Sequence, residues 1–298
     1  LGDVYKRQRG FHGITPVGGF SQDYHIFQTT KEESVMRPLR NHLFAAGIEV
    51  ECSKGEAEMG QEELNLRYAS ALACADQHIF AKHATKEIAW QNGASATFLP
   101  KWRADKVGSS SHIHCSLFKD GANAFHDPSR PHGKSELMDH FVAGLLAYAP
   151  EYTYFLAPYV NSYKRFRKGT FAPTKIVWSV DNRTASFRLC GASSKGVRIE
   201  CRIAGSDVNP YLALAALLAA GIAGIEKKLP LGEPSRGDLY EQKQIREIPR
   251  TLRAATETLR HSKMLHEAFG EGVIEHYTRA AEVEPVSYTH LRAHETVL

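Results

Sequence analysis

The chain has 298 residues, 43% of them apolar and 23% charged, with a formal net charge of +4. That length allows a sizeable core in one large domain or two small ones, and the composition excludes a disordered or collagen-like chain. The positive charge gathers in short motifs rather than in a tail, which points to a site for anions and not to a nucleic-acid surface.

The five cysteines, Cys52, Cys74, Cys115, Cys190 and Cys201, are odd in number and have no CxxC spacing. This suits a reducing cytoplasm better than a disulfide scaffold. The apolar run from Tyr211 to Ile225 is too short to cross a bilayer and reads as a buried helix, so no membrane partner is expected.

In chain order, Thr29 to Gly47 reads as an amphipathic helix, with Val35, Met36, Leu39, Leu43 and Phe44 at helical spacing and Gly47 as its stop. Ile48 to Cys52 alternates and reads as a short strand. Five acids fall between Glu51 and Glu63. They are either a solvated acidic loop or a source of hard oxygen ligands for Mg²⁺ or Mn²⁺. Leu64 to Asn92 reads as a long helix stopped by Gly93, and Ser95 to Pro100 as a strand.

From Gly108 to Leu117 polar and apolar residues alternate. A strand there puts Ser110, His112, His114 and Ser116 on one face and Ile113, Cys115 and Leu117 on the other. Two imidazoles beside a Gly/Ser turn could hold a metal or meet a phosphate, although such a strand is also a common solvated face. Lys134 to Tyr148 reads as a helix, with Pro150 following it. Val197 to Ile203 reads as a strand with Arg198, Glu200 and Arg202 on one face. Pro210 is placed for the first turn of a helix. Leu252 to Phe269 and Val273 to Val283 read as closing helices.

Four segments, taken in order, resemble the catalytic domain of the glutamine synthetase superfamily. They are the His112 strand, Asn161-Ser162-Tyr163-Lys164-Arg165, the run from Asp181 to Arg188, and the strand from Val197 to Ile203. The resemblance runs from about Ala46 to Glu284. It implies an α+β fold, a curved antiparallel sheet flanked by helices, present here in incomplete form over residues 9–284. Leu1 to Gln8 and Pro285 to Leu298 match nothing in the family and resemble translated adapter sequence. They are set aside as foreign tails, with the chain expected to be an internal fragment of a longer protein. The family's upstream Glu-x-Glu strand and small N-terminal domain have no counterpart here, so the fragment alone is expected to be inactive.

The resemblance implies roles residue by residue. Glu56, Glu63, His112 and Glu200 match metal ligands, implying two or more Mg²⁺ or Mn²⁺ ions per site. Lys54-Gly55-Glu56 stands where the family has His-His-Glu, and Glu58 and Glu62 are expected to be solvated extra acids. His114, Ser116, Arg183, Arg188, Lys195 and Arg198 match positions on the ATP side. Gly108 and Arg165 match the glutamate side, although Val107 stands where the family commonly has Asn. Arg183 and Arg202 match arginines that act during phosphoryl transfer.

Ammonia-using members carry Gly-Tyr-Glu-Ala-Pro after the Asn-Ser-Tyr-Lys-Arg run. Here that segment is Gly169-Thr170-Phe171-Ala172-Pro173. A phenyl ring cannot act as a base but can pack against an organic amine. The expectation is an ATP-dependent ligase joining glutamate to an organic amine, working in a homo-oligomeric ring. Ordinary glutamine synthetase, a non-catalytic relative and a metal hydrolase are the alternatives.

Overall fold

The computed structural model describes residues 15–21 and 23–295. The chain divides into two units. One holds the described residues up to Phe98 together with those from Tyr288 onward, and the other spans Leu99–Ser287. The segment Leu1 to Gln8 lies outside the described residues.

In the first unit a short helix α1 (Ile26–Thr30) precedes α2 (Glu33–Ala45). The helix expected from Thr29 is therefore broken at Lys31 and Glu32. Met36, Leu39 and Leu43 are buried as their spacing predicts, while Phe44 is exposed. The chain leaves α2 through Gly47 in the left-handed region, at φ +79°, as expected of a glycine stop.

The next segment departs further from expectation. Leu64 to Leu66, where the long helix is expected to begin, is the end of a strand. That strand is β2 (Glu62–Leu66), antiparallel to β1 (Val50–Gly55), and the long helix α3 (Ala71–Gln91) begins only after Ser70. Leu64 and Leu66 share a strand face and join Val50 against the Met36–Leu39–Leu43 cluster. Pairing to β1 thus overrides the helix expected from Leu64. Gly93 ends α3 at φ +69°. The strand expected at Ser95 to Pro100 is not formed, because nothing pairs with it as a ladder.

The second unit holds the main sheet, made of β3 (Ile113–Cys115), β6 (Trp178–Val180), β7 (Phe187–Cys190) and β8 (Arg198–Cys201). Its order is β3-β8-β7-β6. The β3–β8 and β8–β7 pairs are antiparallel, but β7–β6 is parallel, so the sheet is mixed rather than wholly antiparallel. A small hairpin, β4 (Phe118–Lys119) with β5 (Ala122–Asn123), follows β3.

Behind the sheet lie α4 (Glu136–Leu156) and α6 (Pro210–Glu226), with the single turn α5 (Val160–Tyr163) between them in sequence. A Cβ on Gly144 would lie 2.2 Å from Ala220 O and 2.8 Å from Gly224 Cα. The α4–α6 crossing is close because both helices carry glycine there. Asn209 caps α6 by accepting from the N–H groups of Tyr211 and Leu212, with Pro210 in the first turn as expected. The closing helices are α7 (Leu252–Arg260), α8 (Lys263–Phe269) and α9 (Glu271–Glu295). Thus 252–269 is two helices, split where Ser262 caps the second, and α9 runs beyond Val283 and through Pro285.

The helix α4 also runs past its expected end, through Pro150. Proline has no N–H, so the carbonyl of Leu146, four residues earlier, loses its helical donor. Arg246 Nη2 supplies the missing donor, bonding Leu146 O and also Ala147 O.

Candidate active site

In the first unit the β1–β2 register sets Lys54 opposite Glu63. A tight turn, closed by the Glu56 N–H donating to Gln61 O at 2.7 Å, brings Glu56 back beside them. Lys54 Nζ lies 2.5 Å from Glu56 Oε1 and 3.6 Å from Glu63 Oε2. Burial raises the Glu56 carboxyl above its usual range, and a hydrogen bond with Glu63 raises it further. Burial also lifts Glu63, but the bond from Glu56, with those from Asn65 and Lys54, outweighs it and draws Glu63 down.

Glu58 and Glu62 are not solvated as expected; both are partly buried. Burial, followed by a hydrogen bond with Glu32, pushes Glu62 up to about 9. Glu32 itself is only 3% exposed.

The second unit gathers most of the other candidates around Glu200. The register places Glu200 between His114 on β3 and Arg188 on β7. Its neighbours Ile199 and Cys201 point into the core with Ile113 and Cys115 packed on them, which is the alternation expected of both strands. Glu200 is buried, and its Oε1 accepts from Arg202 Nη1 at 2.7 Å. Its Oε2 accepts from Arg188 Nη1 at 3.3 Å and faces the Cys190 thiol at 3.7 Å. Burial is the main cause that pushes this thiol up to about 11.

His112 Nδ1 is 3.3 Å from Glu200 Oε1, and His114 Nε2 is 3.9 Å from the same oxygen. The surrounding protein, then the charges of Arg202 and Arg165, hold the His112 imidazole well below the usual range. His112 is therefore neutral at physiological pH and keeps a lone pair for a Lewis acid. Ser110 Oγ lies 3.0 Å from its Nε2. Burial also lowers His114, whose Nδ1 accepts from Arg198 Nε at 3.1 Å.

Arg165 is the most enclosed of the cations, at 2% exposure. It leaves a clamped turn. Asn161 exchanges two hydrogen bonds with the Lys101 backbone, and Ser162 Oγ donates to Asp207 Oδ2 at 2.6 Å. Arg165 Nη2 bonds Ile203 O, and the guanidinium lies 5.1 Å from the Phe166 ring centroid. No carboxylate among the described residues is within ion-pair reach of it. Burial, tempered by the charge of Asp207, pulls its pKa down to about 10. The Nε atoms of both Arg165 and Arg202 are buried without a hydrogen-bond partner. Gly108 makes the passage of Arg165 possible, since a Cβ there would lie 2.4 Å from Pro100 O and 2.6 Å from Arg165 Cγ.

The remaining candidates lie at the margins. Arg198 and Lys195 are exposed, and Ser116 is half-buried just past β3. Arg183 is exposed and lines a cleft of about 590 Å³ with Asp181, Asn182, Ser235 and Gly237. Phe171 is 58% exposed and takes a left-handed backbone, at φ +60°. Its loop is held by Thr170 Oγ1 donating to Arg167 O at 2.7 Å and by Tyr240 donating to Ala172 O at 2.8 Å.

The geometry thus joins His112, His114, Arg188, Arg198, Glu200 and Arg202 in one network and sets Gly108 under Arg165. Glu56 and Glu63 form their own pair in the other unit. No cluster of three or more His, Cys, Asp or Glu among the described residues is arranged to hold a metal ion. Two members escaped the sequence reading. Cys190 is two residues from Arg188 on the same strand face, a signal that was available. Asp181 anchors Arg188 through its Nε at 2.9 Å, and only the fold brings that pair together. All five cysteines are free thiols, and no helix among the described residues is long and apolar enough to cross a membrane.

Comparison with known proteins places these features in context. The family described as glutamine synthetase, catalytic domain, matches residues 13–296. The chain is 43% identical over 285 residues to a γ-glutamylethanolamide synthetase of Streptomyces coelicolor, covering 95% of this chain and 60% of that protein. It is 42% identical over 261 residues to a glutamine synthetase of Thermus thermophilus, covering 85% and 58%. Among solved structures, one described as a GmaS/ADP complex superposes with a TM-score of 0.84 at 28% identity, covering 94% of this chain and 65% of the other. The chain spans about 60% of the length of these curated relatives.

Proposed function

Since the chain belongs to the glutamine synthetase family, we propose that it is the catalytic part of an ATP-dependent ligase that joins the γ-carboxylate of glutamate to an organic amine. The observation that carries this reading is the buried pair Arg165 and Arg202, each with an Nε that no protein group satisfies. A buried donor of this kind costs stability unless something binds it, and a guanidinium is matched by carboxylate or phosphate.

The reaction has two displacements. A γ-carboxylate oxygen of glutamate attacks the terminal phosphorus of ATP, releasing ADP and leaving an acyl phosphate. The amine nitrogen then attacks the γ-carbonyl carbon, phosphate departs, and the nitrogen loses a proton to give the amide. Arg165 binds the substrate's other carboxylate and fixes its orientation. Arg202, held by Glu200, serves the γ-carboxylate and the phosphoryl group it acquires. Arg183, Arg188, Lys195 and Arg198 spread positive charge along the phosphates, with His114 and Ser116 beside the nucleotide. Phosphoryl transfer needs this positioning and neutralisation more than covalent help.

The donor chemistry fits Mg²⁺ or Mn²⁺. His112 is neutral and faces Glu200, and Glu56 and Glu63 offer hard oxygens. Glu56 with Glu63 in one unit, and His112 with Glu200 in the other, are the residues that would hold ions, which when bound neutralise phosphate oxygens.

Two features support an organic amine over ammonia. The γ-glutamylethanolamide synthetase is among the most similar relatives, and Phe171 supplies a phenyl ring where ammonia-using members resemble one another in carrying an acid. The test is ADP release with glutamate, offering ammonia, ethanolamine, alkylamines, polyamines and anilines in turn. It is run on a full-length protein carrying this chain. For the 298 residues alone, which span about 60% of the length of these relatives, we expect no turnover. An amine preference supports the reading, and Phe171→Glu is then expected to raise kcat/KM for ammonia about tenfold or more. Preference for ammonia in the unsubstituted enzyme makes it an ordinary glutamine synthetase, an outcome that the Thermus thermophilus relative keeps in view.

A further inference from the structure

We propose that Lys54 is a tethered cation seated in the Glu56–Glu63 carboxylate pair, and that a divalent ion must displace it to bind there. The proposal rests on the reading above that this pair is of the metal-binding kind.

Four contacts define the seat. Lys54 Nζ is 2.5 Å from Glu56 Oε1, 3.6 Å from Glu63 Oε2 and 3.1 Å from Asp23 Oδ1, and it also donates to Gly55 O at 3.3 Å. The ring of Tyr24 closes a further side, with its centroid 4.4 Å from the ammonium. Carboxylate oxygens, a carbonyl and an aromatic face together form a cation site, and here the chain supplies the cation itself. The seat is built into the hairpin, because the register fixes Lys54 opposite Glu63 and the turn fixes Glu56 next to it. Only 24% of the Lys54 side chain is exposed.

The physical consequence concerns charge. Two carboxylates held this close repel each other unless a cation lies between them, and the ammonium already meets that need. A divalent ion within about 4 Å of the ammonium would meet strong repulsion in a partly desolvated site. It can bind the pair only as Lys54 leaves. Lys54 therefore keeps the carboxylates together when metal is scarce and weakens their hold on metal when it is present.

The test is Mn²⁺ binding to the 298-residue chain, followed by the loss of the free-ion electron paramagnetic resonance signal, with no substrate and no turnover. Lys54→Met is compared with the unsubstituted chain, and Glu56→Gln/Glu63→Gln is added in both backgrounds to identify the sites belonging to this pair. The expected result is that Lys54→Met tightens Mn²⁺ binding about tenfold or more, and that the double glutamine substitution abolishes the gain. Where Lys54→Met melts early, Lys54→Gln carries the same measurement with a polar isostere. If the glutamine substitutions remove a Mn²⁺ site but Lys54→Met leaves its affinity unchanged or weaker, the Lys54 proposal is overturned and the metal reading of the pair stands. If they remove no site in either background, both fall.

Discussion

Gly108 has no chemistry of its own, yet it decides where the deepest cation sits. A methyl group there would overlap Pro100 O and the Arg165 Cγ, and Arg165 cannot retreat because Ile203 O holds its far end. Gly108→Ala is therefore expected to raise KM for glutamate between about tenfold and a hundredfold while leaving KM for ATP nearly unchanged. Steady-state kinetics with each substrate varied in turn measures this. If both constants rise together, the damage is general rather than local to Arg165. Glu62 makes a different kind of prediction. Its folded pKa of about 9 lies far above the ordinary carboxyl value of 4.5, because burial and Glu32 disfavour its charge. The folded state therefore binds a proton that the unfolded state releases. Relative stability is fully present below pH 4.5 and is lost as pH climbs through 9. Glu62→Gln removes that loss, so its melting temperature should exceed the parent's by a few degrees at pH 8 and match it near pH 4. The scale is roughly 2–4 °C per kcal/mol for a chain of this size. Equal melting curves at pH 8 would count against the buried Glu32–Glu62 contact.

At the level of elements, α4 shows why proline misleads as a stop signal. Pro150 cannot donate, but the helix continues because Arg246 donates to the orphaned Leu146 O, from a loop 100 residues away in sequence. Nothing local announces such a partner. The prediction is a double-mutant cycle read by denaturant melts. Arg246→Ala should cost about 1 kcal/mol. Adding Pro150→Ala should restore part of it, because the alanine N–H can bond Leu146 O. Strict additivity would show that Arg246 acts elsewhere. The same contrast explains what could be read in advance. The period-2 alternations around His112 and Glu200 were legible because one face of each strand is core, and so were the glycine stops after α2 and α3. The Glu62–Leu66 strand was not legible. Its residues favour helix, and only β1 makes them a strand. The strand expected at Ser95 failed for the opposite reason, since it has strand-forming residues and no partner. The parallel β6–β7 pair, too, is set by the route of the chain between them and not by either strand's own pattern.

The whole molecule distributes its apolar burial unevenly. The first unit is held by Met36, Leu39, Leu43, Ile48, Ala81 and Ile88, with a few partly buried neighbours. Along α3 it leaves Leu72, Phe80 and Trp90 largely exposed. The second unit encloses a continuous cluster from Phe125 through α4, β7, β8 and α6 to Ala281. Stability follows enclosed apolar area, at roughly 25 cal/mol per Å², so the two units should open with different free energies. The candidate residues are divided in the same way. Glu56, Glu63 and Lys54 stand on the weaker framework, and His112, Glu200, Arg165 and Arg202 on the stronger. Amide hydrogen exchange under native conditions should therefore show the β1–β2 hairpin and α2 exchanging at a lower free energy than β8 and the buried turns of α4 and α6. Since a ligand stabilises the conformation it binds, Mn²⁺ at the Glu56–Glu63 pair should raise protection in the hairpin first. If the hairpin and β8 exchange at the same free energy without metal, the molecule opens as a single cooperative body. The carboxylate pair would then be as firmly prearranged as the arginines.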